Sequence, residues 1–234
     1  MLTTEPRRFA AQLAPLAGFL EHMGERFALA GHRIALVGGP VRDAFLGRLA
    51  SAPDLDFTTD ARPEQTVAVL SGWAEHTWDQ GIRFGTVGAR IEGQDCEITT
   101  YRSEHYDAES RKPEVNFGDS LLGDLGRRDF TVNAMALELP TLTLVDAFNG
   151  VSDVRERIIR TPGSPEASFG DDPLRMLRAA RFAAQLGFEV DPTTFESPRQ
   201  FPNQVMRAHL ARVNRDRPST SPAQGLVDFI KPGR

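Results

Sequence analysis

Two aspartates one residue apart, Asp54 and Asp56 in the stretch PDLDF, follow a Gly38-Gly39 turn and an Arg42-Asp43 pair within a few residues. In an extended strand, residues two apart project from the same face. The two carboxylates would then stand side by side, roughly 6 to 7 Å apart at the backbone, and repel unless a cation sits between them. A solvated edge strand can carry the same spacing, so the pair alone decides nothing. Its company does more. Glycines let a backbone approach a phosphate closely, and the amides that follow them open a helix whose N-terminus favours anions. A phosphate and Mg²⁺ site needs these parts together: backbone donors for the anion, and one or two carboxylates for a hard cation that keeps its waters. GGPVRD is neither a Walker loop nor a GxGxxG dinucleotide turn.

Positioning these residues requires a strand, a turn, a helix and a second strand in close succession. Apolar spacing over Phe9 to Leu29 predicts an amphipathic helix that Gly31 stops. Ile34 to Val37 reads as a short buried strand, and Pro40 to Asp43 opens a short helix, since proline is tolerated in a first turn and an acidic group suits the positive dipole end. Asp54 to Thr58 is the second strand. A helix from Arg62 to about Leu70 follows, then strands over Gly81 to Ile91 and Glu97 to Tyr101 joined by the turn Glu92-Gly93-Gln94-Asp95. Ser103 to Asp119 is polar and aperiodic, which predicts a long mobile loop. Ala134 to Leu139 and Thr143 to Val145 add edge strands, and helical pattern returns after Asn149-Gly150, most clearly from Asp172 to Leu186.

The composition is that of an ordinary globular chain: 234 residues, 40% hydrophobic and 25% charged, enough for one substantial core and a small second one. No run of about 18 apolar residues occurs, and no charged segment followed by a signal-type apolar core opens the chain, so nothing points to a membrane or to export. The single cysteine, Cys96, excludes an intramolecular disulfide and a Cys-based zinc site and fits a reducing, cytoplasmic setting. Five histidines with no HExxH spacing leave oxygen as the ligand of any metal. A net charge of −5 argues against a surface devoted to nucleic acid but allows a local basic groove.

Several longer stretches now share one likeness. Gly38-Gly39-Pro40-Val41-Arg42-Asp43, Leu46-Gly47-Arg48 and Asp54-Leu55-Asp56 resemble the head-domain signature of the class II tRNA nucleotidyltransferase and bacterial poly(A) polymerase family. Leu125 to Ala136, LGRRDFTVNAMA, resembles the family's RRDFTxNAMA segment, and Val145 to Gly150 its D-x-F-x-G turn. Phe169 to Phe182, FGDDPLRMLRAARF, looks like its nucleobase-selecting helix. The likeness covers roughly residues 30 to 190 and implies an α+β fold: a nucleotidyltransferase palm with a mixed sheet of about five strands and flanking helices, then a helical neck fragment. The head is expected over 1–150 and the neck over 151–195.

The activity implied is template-independent addition of CMP and AMP, from CTP and ATP, to the 3′ end of tRNA, with Mg²⁺ as cofactor and two metal ions at work. Such ions neutralise a triphosphate and lower the pKa of the attacking hydroxyl. Adenylation alone, as in a poly(A) polymerase, is the second expectation, and a nucleotide-binding remnant without activity the third. Asp54 and Asp56 are the expected metal ligands, with Glu97 as a third carboxylate, or else a solvated glutamate at a turn end. Gly38, Gly39, Arg42 and Asp43 fit triphosphate binding, although Arg42 can instead pair with Asp43 or Asp56. The resemblance makes Arg128, Asp129 and Asn133 ribose and triphosphate contacts; Asp129 can also cap a short helix whose Phe130 is core. Asp172, Arg175, Arg178 and Arg181 recur every third residue along one helix side, either a solvated cationic face or the family's protein template for the base edge. Leu174, Leu177, Phe182 and Leu186 are expected core.

The pattern departs from the family in two respects. Asp171 stands where glutamate is more usual, and after about Phe195 the apolar helical rhythm is lost in a basic, proline-bearing stretch. The expectation is a chain truncated before the helices that hold tRNA, with 196–234 a poorly ordered tail of stray origin, such as a shifted reading frame.

Overall fold

The computed structural model describes residues 5–51, 53–78, 85–102, 118 and 120–196. All but Gly118 of the expected mobile loop over Ser103 to Asp119, and the expected tail beyond Glu196, lie outside the described residues. The chain divides into two compact units, 1–156 and 157–234.

In the first unit, the expected single helix over Phe9 to Leu29 is two. Helix α1 (Glu5–Leu13) and α2 (Ala17–Leu29) are separated by a 3-10 turn over Ala14–Leu16. Pro15 lies in that turn, where its missing N–H and its ring would break an α-helical ladder. Gly31 ends α2 at φ +80°, its N–H donating to the Ala28 carbonyl while that of His32 donates to Phe27, a left-handed cap. Strand β1 (Ile34–Val37) is buried throughout and leads through Gly38 into α3 (Gly39–Leu46), which Gly47 closes at φ +67°.

The remaining elements are β2 (Leu55–Thr59), α4 (Pro63–Leu70), β3 (His76–Trp78), β4 (Thr86–Ile91), β5 (Gln94–Thr100), α5 (Leu121–Gly126), β6 (Ala136–Leu139), β7 (Thr143–Val145) and α6 (Gly150–Glu156). Seven strands form one mixed sheet in the order β3-β4-β5-β2-β1-β6-β7. All neighbours are antiparallel except β2 and β5, which are parallel. The expected mixed α+β architecture is present, but with seven strands where about five were expected: β3 is added at one edge, and β6, expected at an edge, is interior because it pairs with both β1 and β7.

Both faces of the sheet carry helices. Phe19 of α2 meets Phe57 of β2 on one face, at 6.3 Å between ring centroids. On the other, Leu121 and Leu125 of α5 pack against Ala35 and Val37 of β1 and Ala136 of β6. Asp56 and Thr58 point to the α5 face, because alternation along β2 sends Phe57 the opposite way. The candidate site residue Asp56 therefore lies on the face that α5 covers in part.

The second unit contains β8 (Ile158–Ile159) and β9 (Glu189–Val190), paired in parallel, with α7 (Pro165–Asp171), α8 (Leu174–Leu186) and α9 (Pro192–Glu196). The Ser164 hydroxyl caps α7 by accepting from the Ala167 N–H at 3.2 Å. Ile159, Phe169, Met176, Ala179 and Phe188 are buried here. Leu174, Leu177, Phe182 and Leu186, expected as core, are half-buried; Met176 and Ala179 are the α8 positions that turn inward. Among the described residues no helix is long and apolar enough to cross a membrane.

Candidate active site

Parallel pairing of β2 with β5 sets Asp56 directly beside Glu97, and β4 sets Gly88 beside Glu97 on its other side. Asp54 stands one residue ahead of β2, exposed, while Asp56 is half-buried. Asp54, Asp56 and Glu97 line one open cleft of about 410 Å³ together with Asp95 and Trp78. The carboxylates feel one another. Burial pushes the Asp56 carboxyl up, the Arg128 guanidinium pulls it down, and Glu97 and Asp54 push it up again, to about 6 from an ordinary 3.8.

Gly38 carries the backbone to this cleft. It takes φ +73° and ψ −132°, a conformation that essentially only glycine adopts. A Cβ at this position would sit 3.4 Å from Arg128 Nη1 and 3.7 Å from Asp56 Oδ2. The turn, the carboxylate and the guanidinium thus converge within contact distance, and the glycine keeps the space between them open.

Arg128 is held from behind by a residue that the sequence patterns do not reveal. Asp124 in α5 is fully buried and accepts at Oδ1 from Arg127 Nη2 at 2.8 Å and Nε at 3.1 Å. Its Oδ2 accepts from Arg128 Nη2 at 3.2 Å and from the Thr58 hydroxyl at 3.1 Å. Burial alone would push the Asp124 carboxyl up. The Arg128 and Arg127 guanidiniums, with hydrogen bonds from Arg127 and the Arg102 N–H, outweigh it and hold the carboxyl below its ordinary value. Arg128 Nε is buried without an acceptor among the described residues, a donor left unmet beside the carboxylates.

A second set of expected residues forms its own network. Arg42, buried at the start of α3, donates from Nε and Nη2 to the two Asp43 oxygens at 3.0 and 3.2 Å and from Nη1 to Asn133 Oδ1 at 2.6 Å. Asn133 in turn donates from Nδ2 to Asp129 Oδ1 at 3.0 Å. The same oxygen accepts from the N–H of fully buried Phe130 at 2.8 Å, so Asp129 holds the turn around a core phenylalanine. The alternative of an Arg42–Asp43 pair is therefore present in the fold. Gly39 lies against this arginine, its hypothetical Cβ 3.7 Å from Arg42 Nη2.

The expected stripe of charges belongs to the second unit. Asp172 stands two residues ahead of α8, its Oδ1 accepting from the Leu174 N–H at 2.9 Å. Arg175 Nη1 donates to the Ser168 hydroxyl at 2.8 Å, back toward α7. Arg178 and Arg181 are exposed and lie over the Phe182 ring at 5.5 and 5.0 Å from its centroid.

Among the described residues no group of three His, Cys, Asp or Glu side chains is gathered closely enough to hold a metal ion unaided. The cleft still fits a hard divalent cation, since Mg²⁺ is commonly held by one or two carboxylates, with substrate phosphates and water completing the shell. Burial raises the Asp56 carboxyl most, and the repulsion that Glu97 and Asp54 add to it is what such an ion would relieve.

The fold and the carboxylate cleft together define a nucleotidyltransferase fold. A crystal structure of the Bacillus stearothermophilus CCA-adding enzyme in complex with CTP shares it, with a TM-score of 0.73 and 36% identity over 85% of this chain and 46% of that one. So does a tRNA nucleotidyltransferase complexed with a primer tRNA and an incoming ATP analogue, with a TM-score of 0.64 and 30% identity over 88% of this chain and 58% of that one. Residues 34–160 match the poly A polymerase head domain, and the chain belongs to that family. The CCA-adding enzyme of Streptococcus suis (strain 05ZYH33) is 44% identical over 174 residues, 74% of this chain and 41% of that protein. The chain spans about half the length of the relatives it matches.

Proposed function

We propose that this chain carries the nucleotide-transferring head of a CCA-adding enzyme, moving CMP and AMP from CTP and ATP to the 3′ end of tRNA. One observation carries the proposal: the Gly38 turn, the Arg128 guanidinium and the Asp54, Asp56 and Glu97 carboxylates meet on a single sheet face. Asp54 and Asp56 would hold Mg²⁺, with Glu97 beside them. Bound there, two such ions would neutralise the triphosphate and lower the pKa of the 3′-hydroxyl. The chain's own groups do the rest. Gly38 lets the backbone approach the triphosphate, and Arg128, fixed by Asp124, supplies donors to it, including an Nε that an anionic oxygen would satisfy. The Arg42, Asp43, Asn133 and Asp129 network holds the turn in shape, and Asp129 and Asn133 would supply an acceptor and a donor to a ribose.

In the reaction the 3′-hydroxyl oxygen bonds to the α-phosphorus, the bond to the β-phosphate bridge breaks, and pyrophosphate leaves. Asp172, just ahead of α8, and Arg175 in its first turn would offer an acceptor and a donor fork suited to the edges of both cytosine and adenine, with Arg178 and Arg181 further along the helix.

The test uses the full chain, tRNA lacking its terminal CCA, Mg²⁺ and labelled CTP or ATP. Incorporation of both nucleotides, abolished in Asp54→Ala, is the expected result. ATP alone would assign an adenylating enzyme instead. Undiminished incorporation by Asp54→Ala would remove the metal-binding role from that residue, and labelling by neither nucleotide would contradict the proposal.

A further inference from the structure

Trp78 is an exposed aromatic side chain in a cleft that it lines together with four carboxylates, Asp54, Asp56, Asp95 and Glu97, and with Leu55 and Cys96. It pairs across the sheet with Gly88, which pairs with Glu97, which pairs with Asp56, so one row of the sheet runs from the indole to the reacting centre. The indole occupies the space that a Cβ at Gly88 would fill, its Nε1, Cε2 and Cδ1 being the atoms met there. A glycine at this register position lets the ring lie against the β4 backbone. One face is thereby covered while the side chain remains 37% exposed. Neighbouring strands are about 4.8 Å apart, which sets Trp78 about 10 Å from Glu97 at the backbone.

We infer that Trp78, seated on Gly88, is a stacking platform for the terminal base of the RNA primer, a deduction that rests on the functional reading above. The geometry distinguishes primer from incoming nucleotide. Donors for the triphosphate, Gly38 and Arg128, lie on the β1 flank of Asp56, whereas Trp78 lies on the β4–β3 flank. Attacking and leaving oxygens stand roughly in line in nucleotidyl and phosphoryl transfer, so the attacking 3′-hydroxyl arrives from the side opposite the pyrophosphate. That side is the one with the indole. Arg90, two residues along β4 on the same face, is engaged by Asp95 at 2.7 Å and Glu75 at 3.5 Å, so among the described residues of this flank the indole is the side chain suited to stacking on a base. Stacking on an aromatic face accepts every base. A primer end that changes identity after each addition requires that tolerance.

The experiment titrates the full chain into a short RNA carrying 2-aminopurine as its 3′-terminal base, and compares wild type with Trp78→Leu, Trp78→Phe and Gly88→Thr. Wild type should quench the fluorophore. Trp78→Leu should weaken RNA binding by about 5- to 150-fold, the range for loss of one stacked base, with CTP affinity unchanged. Trp78→Phe should restore most of the binding. Gly88→Thr, which lifts the ring without removing it, should reproduce the Leu phenotype. Quenching and RNA affinity equal to wild type in both Trp78→Leu and Gly88→Thr would overturn the platform. Failure of the functional reading would show elsewhere, as a wild-type chain that binds neither CTP nor ATP.

Discussion

Replacing Asp124 by Asn should cost far more than a surface carboxylate would, because every neighbour of this side chain is a donor. Oδ1 accepts from Arg127 Nη2, Arg127 Nε and the Arg102 N–H at 2.8, 3.1 and 3.3 Å, and Oδ2 accepts from Arg128 Nη2 and the Thr58 hydroxyl at 3.2 and 3.1 Å. An amide must turn its NH₂ toward one of these clusters whichever way it sits, and it removes the negative charge that both guanidiniums share at this carboxylate. Removing one partner of a buried ion pair costs about 3–5 kcal/mol, which is the loss expected in urea unfolding at pH 7. The sign with pH follows from linkage. The folded carboxyl is held below its unfolded value, so the unfolded state binds more protons in the intervening range and the Asp124 contribution grows as pH rises. It is fully present above the unfolded pKa of about 3.9 and disappears as pH falls through the lower folded value. Wild type and Asp124→Asn should therefore differ most at neutral pH and converge in acid. A variant as stable as wild type at pH 7, or a gap that persists undiminished at pH 2, would refute the assignment.

Three further perturbations follow from the same contacts. Gly38→Ala forces a side chain into a backbone conformation that costs about 1–3 kcal/mol outside glycine and puts a methyl against Arg128, so urea stability and ATP affinity by calorimetry should fall together. Asp146→Ala removes the acceptor of the Gly150 and Val151 N–H groups at 2.6 and 3.0 Å; the melting point should drop by the equivalent of about 0.5–2 kcal/mol, the usual range for losing a helix cap. Asp56→Asn in metal-free buffer at pH 7 removes a charge that burial, Glu97 and Asp54 disfavour. Its stability should rise by about 1–3 kcal/mol while incorporation is lost, and an unchanged unfolding midpoint would show that the combined penalty from burial and the neighbouring carboxylates is absent.

Local chemistry makes the front of the site legible in the sequence. The Ile34 to Val37 run, the glycine turn and the acidic strand after it each follow from side-chain period or backbone freedom, and the fold has β1, Gly38 and β2 in that order. What sequence patterns do not reveal depends on pairing between distant segments. Strand β3 is three exposed residues, with no buried face to impose alternation, and exists through its hydrogen bonds to β4. Asp124 reads as one more polar residue in a short helix until α5 is laid over Thr58 of β2. The match of Trp78 to Gly88 is a matter of register, which no local period encodes. Pro15 is legible in principle: a proline in mid-pattern predicts a break, and the apolar spacing on either side conceals it.

The central claim is tested most directly by titrating the purified full chain with each of ATP, CTP, GTP and UTP in the presence of Mg²⁺, by calorimetry. Binding of ATP and CTP, with GTP and UTP excluded, is the predicted result. A folded chain that binds none of the four, or all four alike, would contradict it.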